Sequence, residues 1–195
     1  MKRIGLTGSI GSGKSTVSRL LVKRDIPVLD ADQVAREVST FPDVLQKVSE
    51  AFGPEYVTPE GFNRPKIAEL VFHQPEARQT LNGIIHPRVR SRMRELEEAL
   101  QADLVVQDIP LLFESNLDAL MDATIVVDAP LEERIARVMA RDGLSREQVL
   151  SRDNSQMPAA EKRQKATYVV FNDGSLEHLE TQVNRILDAL LKSGS

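Results

Sequence analysis

Residues 8–16 read Gly8-Ser9-Ile10-Gly11-Ser12-Gly13-Lys14-Ser15-Thr16, and this stretch restricts the chain more than any other. It satisfies the pattern G-x-x-x-x-G-K-[ST], with Gly8, Gly13, Lys14 and Ser15 at the fixed places. Glycines let successive backbone N–H groups turn inward and line a concavity for phosphate oxygens. Lys14 then reaches the β- and γ-phosphates, and the Ser15 hydroxyl helps to hold Mg²⁺. Four such positions recur by chance in a chain this long about one per cent of the time, so the flanks matter. Lys2 to Thr7 reads as a short strand, and Val17, Leu20 and Leu21 fall at helical spacing before Pro27. Strand, loop and helix in that order predict a nucleoside triphosphate site facing the positive end of a helix.

Beyond the loop, strand and helix patterns alternate along the 195 residues. They predict a doubly wound α/β fold, a five-stranded parallel sheet covered by helices on both faces. Ile26–Leu29 is the second strand, Leu104–Asp108 the third, Ala123–Val127 the fourth and Tyr168–Phe171 the fifth. A helix runs from about Gln33 to Val38. Residues 39–102 show no good strand and read as helices broken by Pro42, the Gly53-to-Gly61 turn cluster, Pro65, Pro75 and Pro87. A helix opens at Pro130, carries Leu131, Ile135, Val138 and Met139 on one stripe, and ends at Gly143. Ser145-Arg146-Glu147-Gln148 is a capping box for the next helix, with Leu144 and Val149 as its hydrophobic staple. The last helix has a core stripe from Leu176 to Leu191. The expected division is a nucleotide-binding core (1–38, 103–130 and 166–195), a helical acceptor-binding insertion (39–102) and a lid (131–165).

Composition excludes several classes. The chain has no cysteine, which removes disulfides, thiolate metal sites and cysteine nucleophiles together. Its net charge of −4 argues against a global pull toward nucleic acid or anionic membrane, and aromatics at 4% are too few for a base-stacking platform. No apolar run approaches the ~20 residues of a membrane span, and the chain enters a strand at once without a signal peptide. A cytoplasmic protein is expected.

Ligands of doubly wound folds sit beyond the carboxyl ends of the strands, which directs attention to the residues there. Asp30-Ala31-Asp32 leaves the second strand; a carboxylate here can accept the proton of a substrate hydroxyl, or it can cap the helix. Asp108 ends the third strand, where a metal-associated carboxylate is expected or, alternatively, a turn residue before Pro110. Pro110-Leu111-Leu112-Phe113-Glu114 is an apolar patch ending in an acid, able to wall a substrate pocket or to leave Glu114 solvated. Residues 131–165 hold eight basic side chains against six acids, which favours a cationic lid over a solvated helical hairpin. Arg141 and Arg152 are its leading candidates. His86-Pro87 is read as the start of a helix bearing Arg88, Arg90, Arg92 and Arg94.

A GTPase would carry N-K-x-D, which is absent, and the inserts of ATPase motors do not fit in this length. A small-molecule kinase matches best; a nucleotide-dependent switch is the alternative from another class. At this point the chain resembles the dephospho-coenzyme A kinases over almost its whole length. The resemblance rests on the phosphate loop, Asp30-Ala31-Asp32, Phe52-Gly53, Arg64, Leu81 through His86-Pro87 and Asp108 through Glu114. Arg141-Asp142-Gly143, Arg152, Gln156-Met157-Pro158 and Asn172 with Gly174-Ser175-Leu176 continue it. It implies an ATP- and Mg²⁺-dependent kinase that phosphorylates the ribose 3′-hydroxyl of dephospho-CoA, the last step of CoA synthesis. Asp32 is then the base or orienter of that hydroxyl, and Lys14 and Arg141 join it in catalysis. Gly8 and Gly11 through Thr16, including Ser12, grip the ATP phosphates, and Asn172 lies near the adenine. Arg64, His86, Leu111 and Glu114 contact the acceptor, and Ser15 with Asp108 serves the metal. The implied partners are small molecules, without nucleic acid or membrane; a monomer is expected, with weak self-association left open. Two positions depart from the family pattern. Thr167 follows Ala166 where aspartate is usual, and Arg36 stands where many members carry histidine.

Overall fold

The computed structural model describes residues 1–192. The chain divides into two compact units, one formed by Met1–Leu29 with the chain from Ala102 onward, the other by Asp30–Gln101.

The first unit is built on a five-stranded sheet. Its strands are β1 (Lys2–Gly8), β2 (Val28–Asp30), β5 (Leu104–Asp108), β6 (Ala123–Asp128) and β7 (Tyr168–Phe171). Their order across the sheet is β2-β5-β1-β6-β7, so the first strand lies in the middle. The ladders of β1 with β5, β1 with β6 and β6 with β7 are parallel. Every residue of β5 and β6 is buried, as is β1 from Ile4 onward. That is why these strands read as continuous apolar runs rather than alternations. Helix α1 (Lys14–Lys23) packs Val17, Leu20 and Leu21 into the core, and α9 (Leu176–Lys192) adds Leu179, Val183, Ile186, Leu187 and Leu190. The ends of the expected α9 stripe, Leu176 and Leu191, are instead exposed. Helix α6 (Leu131–Asp142) buries Ile135 and Val138 but leaves Leu131 and Met139 exposed, a narrower stripe than expected. Pro130 sits at the N-cap rather than inside the helix, and Gly143 closes it in the left-handed region at φ 66°. The capping box of α7 (Arg146–Asn154) forms with both of its hydrogen bonds. Helix α8 (Ala159–Lys165) then leads into β7.

The second unit is mostly helical: α2 (Ala31–Val38), α3 (Pro42–Phe52), α4 (Arg64–His73) and α5 (Pro75–Glu98). Two readings of this region are corrected. Val57–Thr58 and Gly61–Phe62 form a short antiparallel hairpin, β3 and β4, where no strand was expected. Two residues a side are too few to show an alternation in sequence. Pro87 neither breaks nor starts a helix, and His86-Pro87 lies in the middle of the 24-residue α5. A proline there costs about 3 kcal/mol in an isolated helix, but the turns on either side are held by neighbours. Arg88 pairs with Asp43 at 3.5 Å and lies 4.7 Å over the Phe41 ring, Arg92 reaches Glu37 at 2.8 Å, and Leu81 and Met93 are buried. Tertiary packing therefore outweighs the local penalty. Among the described residues no helix is long and apolar enough to cross a membrane.

Candidate active site

The phosphate loop lies at the carboxyl end of β1, between β5 on one side and β6 on the other. This is the point where the strand order reverses, and crevices for ligands open there. Gly11 and Gly13 have φ of 73° and 92°, in the left-handed region. A β-carbon on Gly13 would meet the Asn172 side chain, and one on Gly11 would come within 2.8 Å of Val138 Cγ2. Three consecutive loop carbonyls are each claimed by a donor from outside. Arg134 donates to Ile10 O at 3.2 Å, Arg137 to Gly11 O at 3.2 Å and Asn172 Nδ2 to Ser12 O at 3.0 Å. With the carbonyls held outward, the loop turns its positive dipole ends toward the anion at no cost during binding. Gln156 accepts from Ile10 N at 3.2 Å and fixes the loop's far edge.

Lys14 opens α1 and forms an ion pair with Asp108, whose other oxygen accepts from Ser18 Oγ at 3.2 Å. Asp108 is buried at the end of β5, level with Leu6 in the register of β1. Its carboxylate is thus a counter-ion to the loop lysine, a role the sequence reading did not assign. Ser15 is exposed on the first turn of α1. Among the described residues no cluster of three or more histidines, aspartates or glutamates forms a metal cage.

The 110–114 segment follows directly. Thr7 Oγ1 donates to Pro110 O at 3.0 Å, Leu112 and Phe113 enter the core, and Leu111 is 45% exposed. Glu114 is not solvated: it lies 3.2 Å from the ammonium of Lys162. In the second unit Asp30 caps α2, its Oδ1 accepting from Asp32 N at 2.8 Å and Gln33 N at 3.0 Å. Asp32 is left exposed on the first turn. Arg64 and His86 are exposed on α4 and α5.

Arg141 is exposed and its guanidinium is bound bidentately by Asp142, at 2.7 and 2.9 Å. That pairing, with Arg152 contributing, holds the Asp142 carboxyl below the usual range and raises the Arg141 guanidinium. The arginines that touch the loop are therefore Arg134 and Arg137, which sequence reasoning left within the general basic count. Arg134 and Arg137 stand three residues apart and so share one helical face, but which neighbour that face meets is set by the fold. Arg134 is 5% exposed, bonding Ala129 O at 3.2 Å and Asp153 at 2.6 Å as well as the loop. Arg137 also donates to Asn172 O at 2.9 Å.

Comparison with known proteins decides among the kinases that this geometry allows. A family model described as dephospho-CoA kinase matches residues 2–178. A dephospho-CoA kinase of Deinococcus radiodurans is 53% identical over 192 residues, covering 97% of this chain and 92% of the relative. The chain belongs to the dephospho-CoA kinase family. Solved structures agree. A Thermus thermophilus protein superposes with a TM-score of 0.84 at 45% identity, over 100% of this chain and 98% of that one. The dephospho-CoA kinase of Campylobacter jejuni gives 0.74 at 26% identity, over 99% and 98%.

Within the dephospho-CoA kinase pattern, the Thr167 departure has a local solution. Thr167 Oγ1 accepts from Thr124 N at 3.0 Å while Thr124 Oγ1 accepts from Thr167 N, also at 3.0 Å. This reciprocal pair joins β6 to the start of β7 by hydroxyls alone, without a carboxylate. Arg36 lies exposed in the last turn of α2.

Proposed function

We propose that the protein transfers the γ-phosphoryl group of ATP to the ribose 3′-hydroxyl of dephospho-CoA, giving CoA and ADP as the final step of coenzyme A synthesis. The observation that carries this reading is the match of residues 2–178 to the dephospho-CoA kinase family. The outward-held carbonyls of the phosphate loop support it from the physical side. The Gly8–Thr16 stretch binds the triphosphate, and Lys14 exchanges Asp108 for the β- and γ-phosphates. Asp32 accepts the proton of the 3′-hydroxyl as its oxygen attacks the γ-phosphorus, and the bond to the bridging oxygen breaks to release ADP. Its exposure two residues beyond β2, with Asp30 already committed to capping, supports that role. Ser15, with Asp108 behind it, would hold Mg²⁺; when bound, the ion neutralises charge on the phosphate oxygens.

Arg141 serves in the lid formed by residues 131–165, released from Asp142 to meet the phosphates. Residues 39–102 bind the acceptor, with Arg64 and His86 contributing, and Leu111 and Glu114 belong to the acceptor wall. The core comprises 1–38, 103–130 and 166–195, Asn172 borders the nucleotide, and the enzyme works in the cytoplasm. Its partners are ATP and dephospho-CoA.

The test is ADP release from ATP and Mg²⁺ with dephospho-CoA as acceptor, beside AMP and other alcohols, with product mass determined by chromatography. Turnover confined to dephospho-CoA and yielding CoA is expected. Turnover with another acceptor alone would overturn the substrate assignment, and nucleotide binding without transfer to any acceptor would overturn the kinase reading.

A further inference from the structure

Helix α8 buries one residue, and that residue is a lysine. Lys162 is 0% exposed and is the bulkiest of the fully buried side chains described. Its ammonium lies 3.2 Å from Glu114 Oε1, and neither the ammonium nor either carboxylate oxygen makes a well-directed hydrogen bond to another described group. The next residue, Arg163, pairs with Asp128 at the carboxyl end of β6. A seven-residue helix with no buried apolar side chain is therefore seated by two charge pairs, each to a carboxylate at or beyond a strand end. Burying a charge pair adds little net stability over an apolar filling, but it fixes geometry, because neither partner tolerates separation.

What the pair fixes is the 110–114 segment. Its first residue is held by the Thr7 hydroxyl on the Pro110 carbonyl at 3.0 Å, and its last by Lys162. Leu112 and Phe113 point into the core between these anchors, while Leu111 is 45% exposed. We infer that Lys162 is a positioning residue for the acceptor: through Glu114 it sets where Leu111 meets dephospho-CoA. Glu114 then acts as the receiver of Lys162 and not as a substrate ligand. This rests on the reading, given above, that the segment walls the acceptor pocket.

Three variants test it: Leu111→Ala, Lys162→Met, and Lys162→Met combined with Glu114→Gln. Steady-state KM for ATP and for dephospho-CoA is measured with thermal stability. Leu111→Ala is expected to raise KM for dephospho-CoA. Lys162→Met is expected to raise that KM by about tenfold or more, since ångström-scale misplacement is expensive, while KM for ATP stays within about twofold. The double variant leaves no unpaired buried charge, so its Tm recovers toward the parent's while KM for dephospho-CoA stays high. If Leu111→Ala acts but both Lys162 variants leave the acceptor KM unchanged, or raise both KM values alike, the positioning role is wrong. If Leu111→Ala leaves the acceptor KM unchanged, the wall reading falls and takes the inference with it.

Discussion

Gly13 has φ 92° and holds the Asn172 amide where a β-carbon would stand. Alanine there suffers both a strained backbone and a displaced Asn172, which frees the Ser12 carbonyl it restrains. Gly13→Ala is therefore expected to raise KM for ATP by about tenfold or more, since misplaced phosphate-binding groups are costly, with little change in KM for dephospho-CoA. Two aspartates separated by one residue divide their work. Asp30→Ala should cost about 1 kcal/mol of stability as a lost N-cap, read by denaturant unfolding. Asp32→Asn should leave that stability unchanged while lowering kcat by roughly 10²–10⁴, the range for a lost proton acceptor. A rate within a few-fold of the parent would remove Asp32 as the base. The Asp30-Ala31-Asp32 motif left both carboxylates open as bases or caps; only the hydrogen bonds from Asp32 N and Gln33 N show which one caps the helix.

Helix α6 links the loop to the segment that follows it. Its Arg134 joins Ile10 O, Ala129 O and the Asp153 carboxylate of α7. Arg134→Ala strips a donor from all three, so a loss on the order of 2–3 kcal/mol is expected, measured by thermal unfolding, together with weaker ATP binding. Elements whose residues carry local signals were legible: the capping box of α7, Gly143 closing α6, and the buried strands β5 and β6. Those decided by partners distant in sequence were not. Pro87 passes through α5 because Arg88 and Arg92 reach Asp43 and Glu37, more than forty residues away. The four-residue β3–β4 hairpin leaves no periodicity to detect. A basic residue count singled out residues 131–165, but it did not separate Arg134 and Arg137, which grasp the loop, from Arg141, which grasps Asp142.

At the scale of the molecule, the loop follows the middle strand of the β2-β5-β1-β6-β7 order, with buried strands on both sides. Such a site belongs to the folded state alone, because an unfolded chain cannot assemble it. ATP at a hundred times its Kd is therefore expected to add about 2.7 kcal/mol to the stability of the whole protein, visible as a raised Tm. The Lys14→Ala variant should lose most of that shift and, because it leaves the buried Asp108 carboxylate without its counter-ion, melt below the parent without nucleotide. The nucleotide motif and the run of parallel strands were legible because each carries its own residues; the order of the strands across the sheet and the coupling of Lys14 to Asp108 were not, the latter since 94 positions separate the two. That coupling sets a threshold for entry. At rest the loop's lysine is already neutralised by an internal carboxylate, so an incoming anion competes against a tethered one at high local concentration. A small, weakly charged ion gains little by the exchange, whereas a chelating polyphosphate displaces the carboxylate and recruits the loop amides together. Orthophosphate should accordingly be a far poorer competitor of ATP than tripolyphosphate, leaving the enzyme open to its nucleotide amid the abundant phosphate of a cell.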